Sequence, residues 1–526
     1  MDPNPSLRWQ EAEQLTAQGD EVRARPLYLA LTEDRALAPY AHLRLGVFAQ
    51  RDGDPRGAAA HALAAFRSAH GDPELLELVA KSLLRAGLVR EALACADAML
   101  RLGAPVNALA EVGKMLSDHM QPEAALPLLR RAMAQGLAGA PAMQYLVGLN
   151  LMYLGRDDDA RAALEVSLRG NPDLAPAHWA RAKLGGSEAR GARIDRLRAA
   201  LARAPQGAPD APLLGYALFH ELDREGDVAA AWPVLEEALR RRRAQVRHDE
   251  REDEALFDAA TRTLDLPEAE PDAAETGPQP VFVVGMPRTG TTLIEQQLCA
   301  RADAASAGEL RDLALQLRQV TGLAGPAHLD ARQLDALAPG QASALGRRYL
   351  EHSRWRAGGQ PHYLDKWPEN YLGIGLILAA LPQARVVWVR RDPVDACFSN
   401  LKEWFAASYF YSYDQGEVAR RCARFERLRA AVQARASERV AWVDYETFVR
   451  QPEAEVERLL DRLALPRRSA SSPAPTGAIA TASTRQVREG VSARHVGAWR
   501  RYAEPLAPLR AELARLGLGC ADGDAS

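Results

Sequence analysis

Cysteine is scarce and scattered in this chain: five in 526 residues, Cys95, Cys299, Cys397, Cys422 and Cys520, with no CxxC pair and no Cys/His spacing of a zinc site. They read as free thiols of a reducing compartment, which excludes a disulfide-held scaffold. Long apolar runs are also missing. The longest, Leu372 to Leu381, is about half the roughly 20 residues a membrane span needs, and the first residues, MDPNPSLRWQEAEQ, carry no apolar core flanked by positive charge. The expectation is a cytoplasmic protein without a membrane span. An excess of one charge is absent too: the formal net charge is -3, which gives no case for non-specific binding to nucleic acid. What remains is ordinary globular composition, 47% hydrophobic and 26% charged, in a chain too long for one core. At least two domains are expected.

The first half repeats. Gly19, Gly53, Gly87 and Gly155 lie on a 34-residue grid whose fourth slot falls near Met120 and Gln121, and an alanine follows each turn at Ala24, Ala58, Ala92, Ala125 and Ala160. Apolar residues between them fall at helical spacing, as in Leu78, Val79, Leu83 and Leu84 before Gly87 and Leu93, Ala96 and Met99 after it. Each unit is read as helix, tight turn, helix. Glycine takes the positive φ of the turn, and alanine lets the two helices approach closely. The pattern resembles tetratricopeptide repeats, whose helical pairs stack into a solenoid. A further pair around Gly226 and Ala231 extends the array to about Arg243. The helical domain is therefore expected over 1–245. The resemblance implies that it binds a peptide or protein, the acceptor or a partner.

Residues 246–280 turn acidic and then Pro-rich (PEAEPDAAETGPQP), with one helix expected around Asp253 to Leu264, and are read as a linker. An α/β domain follows over 281–510, with a tail over 511–526. Its opening, QPVFVVGMPRTGTTLIEQQL, is a β-branched run, a Gly/Pro loop and a helix beginning at Thr291 or Thr292. Unpaired backbone N–H groups and the helix dipole both face such a loop, so it is an anion site. Gly285 and Gly290 have Walker A separation, but Thr291 stands where the lysine belongs and the cation has moved to Arg288. A second strand, loop and helix read VVWVRRDPVDACFSNL, with Arg391 eight residues before Ser399 and Arg390 as the alternative cation.

GMPRTGTT resembles the 5'-phosphosulfate loop of sulfotransferases that use 3'-phosphoadenosine 5'-phosphosulfate (PAPS). The fold implied is a P-loop-like parallel sheet behind the helical solenoid. On the first motif the resemblance assigns Pro287, Arg288, Thr289, Gly290, Thr291 and Thr292 to the nucleotide, and on the second it assigns Arg391 and Ser399 to its 3'-phosphate. It adds Tyr445, in VAWVDYETF, and Gln486 and Arg488 from a late segment, STRQVR, where the REGV that follows departs from the proline of relatives. No metal is needed in principle. The acceptor hydroxyl needs a base and the leaving oxygen a cation or acid. Glu309, in SAGELRDL, is 21 residues after Arg288, and Lys366 stands in YLDKWPEN. A tetratricopeptide array fused ahead of the domain is a recurrent bacterial arrangement in this family, and by resemblance to its tyrosylprotein branch Glu309 is the base, Lys366 and Arg288 assist, and Arg311 contacts the acceptor. The expected activity is sulfuryl transfer to a peptide tyrosine. Other readings are a glycan or small-molecule hydroxyl as acceptor, a P-loop kinase, and a non-catalytic adaptor.

Overall fold

The computed structural model describes residues 4–69, 71–186, 190–205, 207–270, 276–326, 328–435, 438–468 and 490–519. It divides into two compact units. The first joins residues 1–151 with 314–328, and the second joins 152–313 with 329–526.

The first unit is built from helix pairs whose turns follow the glycine grid. Gly19, Gly53 and Gly87 have φ of +79°, +71° and +77°, the left-handed region that L side chains avoid. At the fourth slot Met120 takes φ +56° without being glycine, and Gly155, in the second unit, has φ +76°. In two of the turns an aspartate comes next and caps the second helix. Asp20 accepts from the Arg23 N–H and Asp54 from the Gly57 N–H at 3.2 and 2.9 Å. The grid alanines are almost wholly buried, Ala24, Ala92 and Ala125 to 0% exposure. Residues 314–328 lie along the turn of the second helix pair. Arg56 donates to the carbonyls of Gln319, at 2.6 Å, and Val320, and Gln319 Nε2 donates to the Pro55 carbonyl at 2.9 Å.

The second unit opens with further helices, among them Ala175–Leu184, Ala211–Glu225 and Val228–Gln245. The stretch read as a linker carries the helix Glu250–Arg262, whose Asp253 meets Arg424 Nη1 at 2.7 Å and also pairs with Arg421. Behind it stands a five-stranded, wholly parallel sheet of order β2-β3-β1-β4-β5. The strands are β1 (Gln279–Gly285), β2 (Ala304–Gly308), β3 (His362–Asp365), β4 (Arg385–Arg390) and β5 (Val440–Asp444). A parallel sheet covered on both faces reads as continuous apolar runs, and Val281 to Val284 and Val386 to Val389 are each at 0% exposure. Because all five strands run the same way, the loops that leave their carboxyl ends share one edge. At β1 the strand order reverses, the position where open α/β sheets place ligands.

Candidate functional site

Each strand delivers one element of the site to that edge. After β1 the loop Met286–Gly290 leads into the helix Thr291–Arg301. The loop is tightly drawn: Arg288 has φ +69° and Gly290 +102°, and Thr289 Oγ1 donates to the Met286 carbonyl at 2.7 Å. A Cβ on Gly290 would lie 2.4 Å from the Tyr445 ring, so glycine is required for closeness as well as for φ. Asn400 Nδ2 donates to the Pro287 carbonyl at 2.7 Å and Arg391 Nη1 to the Arg288 carbonyl at 3.2 Å. The second motif thereby holds the first.

After β4 the tandem arginines part. Arg390 turns to Glu426, 3.0 Å away, whereas Arg391 Nη1 donates to Ser399 Oγ at 3.1 Å and its guanidinium lies 4.7 Å over the Tyr445 ring. The helix Pro393–Leu401 is capped by Asp392, which accepts from the Asp395 N–H at 2.9 Å. Asp395 in turn accepts from the backbone of Gly497 and Trp499, at 2.5 and 3.3 Å, and so pins residues 497–499 beside the site.

These elements enclose a pocket lined by Arg288, Gly290, Thr292, Arg391, Ser399 and Tyr445 from the motifs, and by Lys402, Ser492, Arg494 and His495 that the motifs did not include. Among the described lining residues four side chains are Lys or Arg and none is a carboxylate. The crowding shows in the titration. Burial lowers the His495 pKa to about 4, with Lys402, Arg494, Arg391 and Arg288 adding to the shift. Lys402 is lowered as well, by burial first and by Arg391 and Arg288 among its neighbours, against Asp223. Arg391 Nε is buried with no hydrogen-bond partner among the described residues. Such a pocket suits a ligand carrying several negative charges. Gln486 and Arg488 lie outside the described residues.

After β2 and β3, which are neighbours, come Glu309 and Lys366. Lys366 Nζ pairs with Glu309 Oε1; the lysine side chain is 1% exposed and the glutamate 24%. Asp365 ties the two loops together. It accepts from the backbone N–H of Leu310 at 3.3 Å and of Trp367 at 3.2 Å, from Tyr349 Oη at 2.8 Å and from Asn370 Nδ2 at 3.1 Å. Burial pushes the Asp365 pKa up to about 7. Arg311 is exposed, with its guanidinium 5.3 Å over the Trp367 ring.

Lys402 had a readable signal, since it stands three residues after Ser399 on the same helical face. Lys183 and Glu403 had none: the lysine donates to Glu403 Oε2 at 2.8 Å across 220 residues of sequence.

Residues 280–469 match the model of the Sulfotransferase family, which makes that stretch a sulfotransferase-family domain. A protein of Aquifex aeolicus (strain VF5), known only as an uncharacterized protein, is 26% identical over 314 residues, a match covering 56% of this chain and 40% of the relative. The chain thus spans two fifths of that relative's length. Among solved structures, the sulfotransferase domain of the Synechococcus PCC 7002 olefin synthase covers 47% of this chain and 96% of its own, at 18% identity and TM-score 0.33. A tetratricopeptide repeat protein of Parabacteroides merdae covers 44% of this chain and 91% of its own, at 14% identity and TM-score 0.31. No helix among the described residues is long and apolar enough to cross a membrane.

Proposed function

We propose that this protein transfers the sulfuryl group of PAPS to an acceptor hydroxyl, and that the acceptor is a tyrosine of a peptide or protein. The observation that carries the reading is the pocket of Arg288, Arg391, Lys402 and Arg494, lined by no carboxylate among the described residues, at a P-loop-like turn of the stretch that matches the sulfotransferase model. PAPS brings phosphate groups at both ends of its ribose, which fits a pocket with cations on two loops, one of them Arg391, whose buried Nε has no hydrogen-bond partner among the described residues.

In this reading the N–H groups of Gly290 to Thr292 and the Arg288 guanidinium take the 5'-phosphosulfate, while Arg391 and Ser399 take the 3'-phosphate. Glu309 removes the acceptor proton. The acceptor oxygen forms its bond to sulfur as the bond from sulfur to the 5'-phosphate oxygen breaks, and adenosine 3',5'-bisphosphate leaves with the electron pair. Lys366, paired with Glu309 before substrate arrives, is placed to neutralise charge on the sulfuryl and leaving oxygens. Arg311, exposed beside Trp367, contacts the acceptor, and the helical repeats hold the peptide or a partner protein.

The test is transfer from labelled PAPS to tyrosine-containing peptides, with a glycan and a small phenol as alternative acceptors. The expected result is labelled peptide, and its loss in Glu309→Ala while nucleotide still binds. Labelling of the glycan or the phenol alone would refute the tyrosine acceptor. Undiminished transfer by Glu309→Ala would refute the base.

A further inference from the structure

Arg288 does not stand alone with the anion site. Its Nε lies 3.4 Å from Glu403 Oε2, a carboxylate whose side chain is 3% exposed. Were Glu403 to hold Arg288 without sharing its charge, the two would form a neutral pair and the arginine would be drawn back from the pocket it lines. Glu403 is already engaged, however. Lys183, on the helix Ala175–Leu184, donates to both of its oxygens, at 3.1 and 2.8 Å, from a side chain 17% exposed, with its ammonium 5.2 Å over the Trp179 ring. One buried negative charge therefore serves two cations, and the group as a whole is positive.

We propose that Lys183 is a positioning residue of the anion loop: by engaging Glu403 it keeps the Arg288 charge available to the ligand. The helices ahead of the sheet would then contribute to donor binding as well as to acceptor binding. The inference rests on the donor reading given above.

The groups facing the Lys183 ammonium are Glu403 from the loop after Ser399, Arg288 from the anion loop, and Arg224 and the half-buried His220 from the helix Ala211–Glu225. Burial lowers the Lys183 pKa to about 8, Arg288 and Arg224 lowering it further and Glu403 opposing them. As pH rises through about 8, Lys183 loses its charge and no longer shares Glu403 with Arg288. Affinity for an anionic nucleotide should fall there. Arginine does not titrate in that range, so Lys183→Arg should lose the part of the bend that Lys183 causes and keep only that of the pocket's Lys402.

The experiment is calorimetric titration of the full chain with adenosine 3',5'-bisphosphate from neutral to alkaline pH. The variants are Lys183→Ala, Lys183→Arg and Lys183→Ala combined with Glu403→Gln. Lys183→Ala should bind about tenfold more weakly at neutral pH, and the double variant should recover to within about threefold of wild type, because the competing charge is gone. Lys183→Ala binding like wild type, or a double variant as weak as Lys183→Ala, would overturn the proposal while leaving the donor reading intact. Should Lys183→Ala not fold, the alkaline bend decides: Lys402 is unchanged in both proteins, so a smaller bend in Lys183→Arg than in wild type supports the proposal, and a bend of equal size overturns it. A wild-type protein that does not bind the nucleotide removes the donor reading itself.

Discussion

Truncating Asp365 should cost far more than neutralising it. The carboxylate receives four donors, and two of them, the backbone N–H groups of Leu310 and Trp367, cannot turn elsewhere. Asp365→Ala strands both in a buried site, together with Tyr349 Oη and Asn370 Nδ2. At about 1 to 3 kcal/mol for each stranded backbone donor, the loss is about 4 kcal/mol. Asp365→Asn keeps a carbonyl oxygen for the two backbone donors and turns its NH2 to Tyr349 and Asn370, where a hydroxyl can rotate and an amide can flip. That variant should lose about 1 kcal/mol. The two N–H groups belong to the loops that carry Glu309 and Lys366, so Asp365→Ala should also lower kcat more than KM for the nucleotide. Urea titration followed by circular dichroism measures the stabilities.

The pH dependence gives a second arm. The folded pKa, about 7, lies above the unfolded carboxylate value, so this group contributes stability that is full below about pH 4 and is lost as pH rises through about 7. The gap between wild type and Asp365→Asn should therefore narrow toward neutral pH. Equal stabilities for the Ala and Asn variants, or an Ala variant within about 1 kcal/mol of wild type, would refute the clamp.

Two glycines give further predictions. Gly290→Ala combines φ +102° with a Cβ 2.4 Å from the Tyr445 ring, which must then shift from its place under Arg391; nucleotide affinity should fall at least about tenfold by calorimetry. Gly87→Ala combines φ +77° with a Cβ 2.5 Å from Leu315 Cδ1, and the first unit should lose about 2 kcal/mol in thermal denaturation.

Local pattern made the repeats and the strand-to-helix turns legible. A left-handed turn needs glycine and a close helix crossing needs alanine, so both left marks at fixed spacing. Met120 shows the limit, since a turn held by its neighbours adopts φ +56° without the marker residue. The choice between Arg390 and Arg391 stayed open in sequence because it depends on which side chain Glu426 captures. Lys183, Glu403 and Asp395 act through partners on other segments, and no spacing rule reaches across such loops. Lys402 is legible in the sequence as the next position on that helical face, three residues past Ser399.

Selection of its nucleotide by the cationic pocket is the most direct measure of the proposed function. Calorimetry should compare adenosine 3',5'-bisphosphate with adenosine 5'-monophosphate, on wild type and on Arg391→Ala. The bisphosphate should bind wild type at least about tenfold more tightly than the monophosphate, and Arg391→Ala should erase that preference by weakening the bisphosphate alone. Equal binding of the two nucleotides by wild type, or a preference that survives the loss of Arg391, would contradict it.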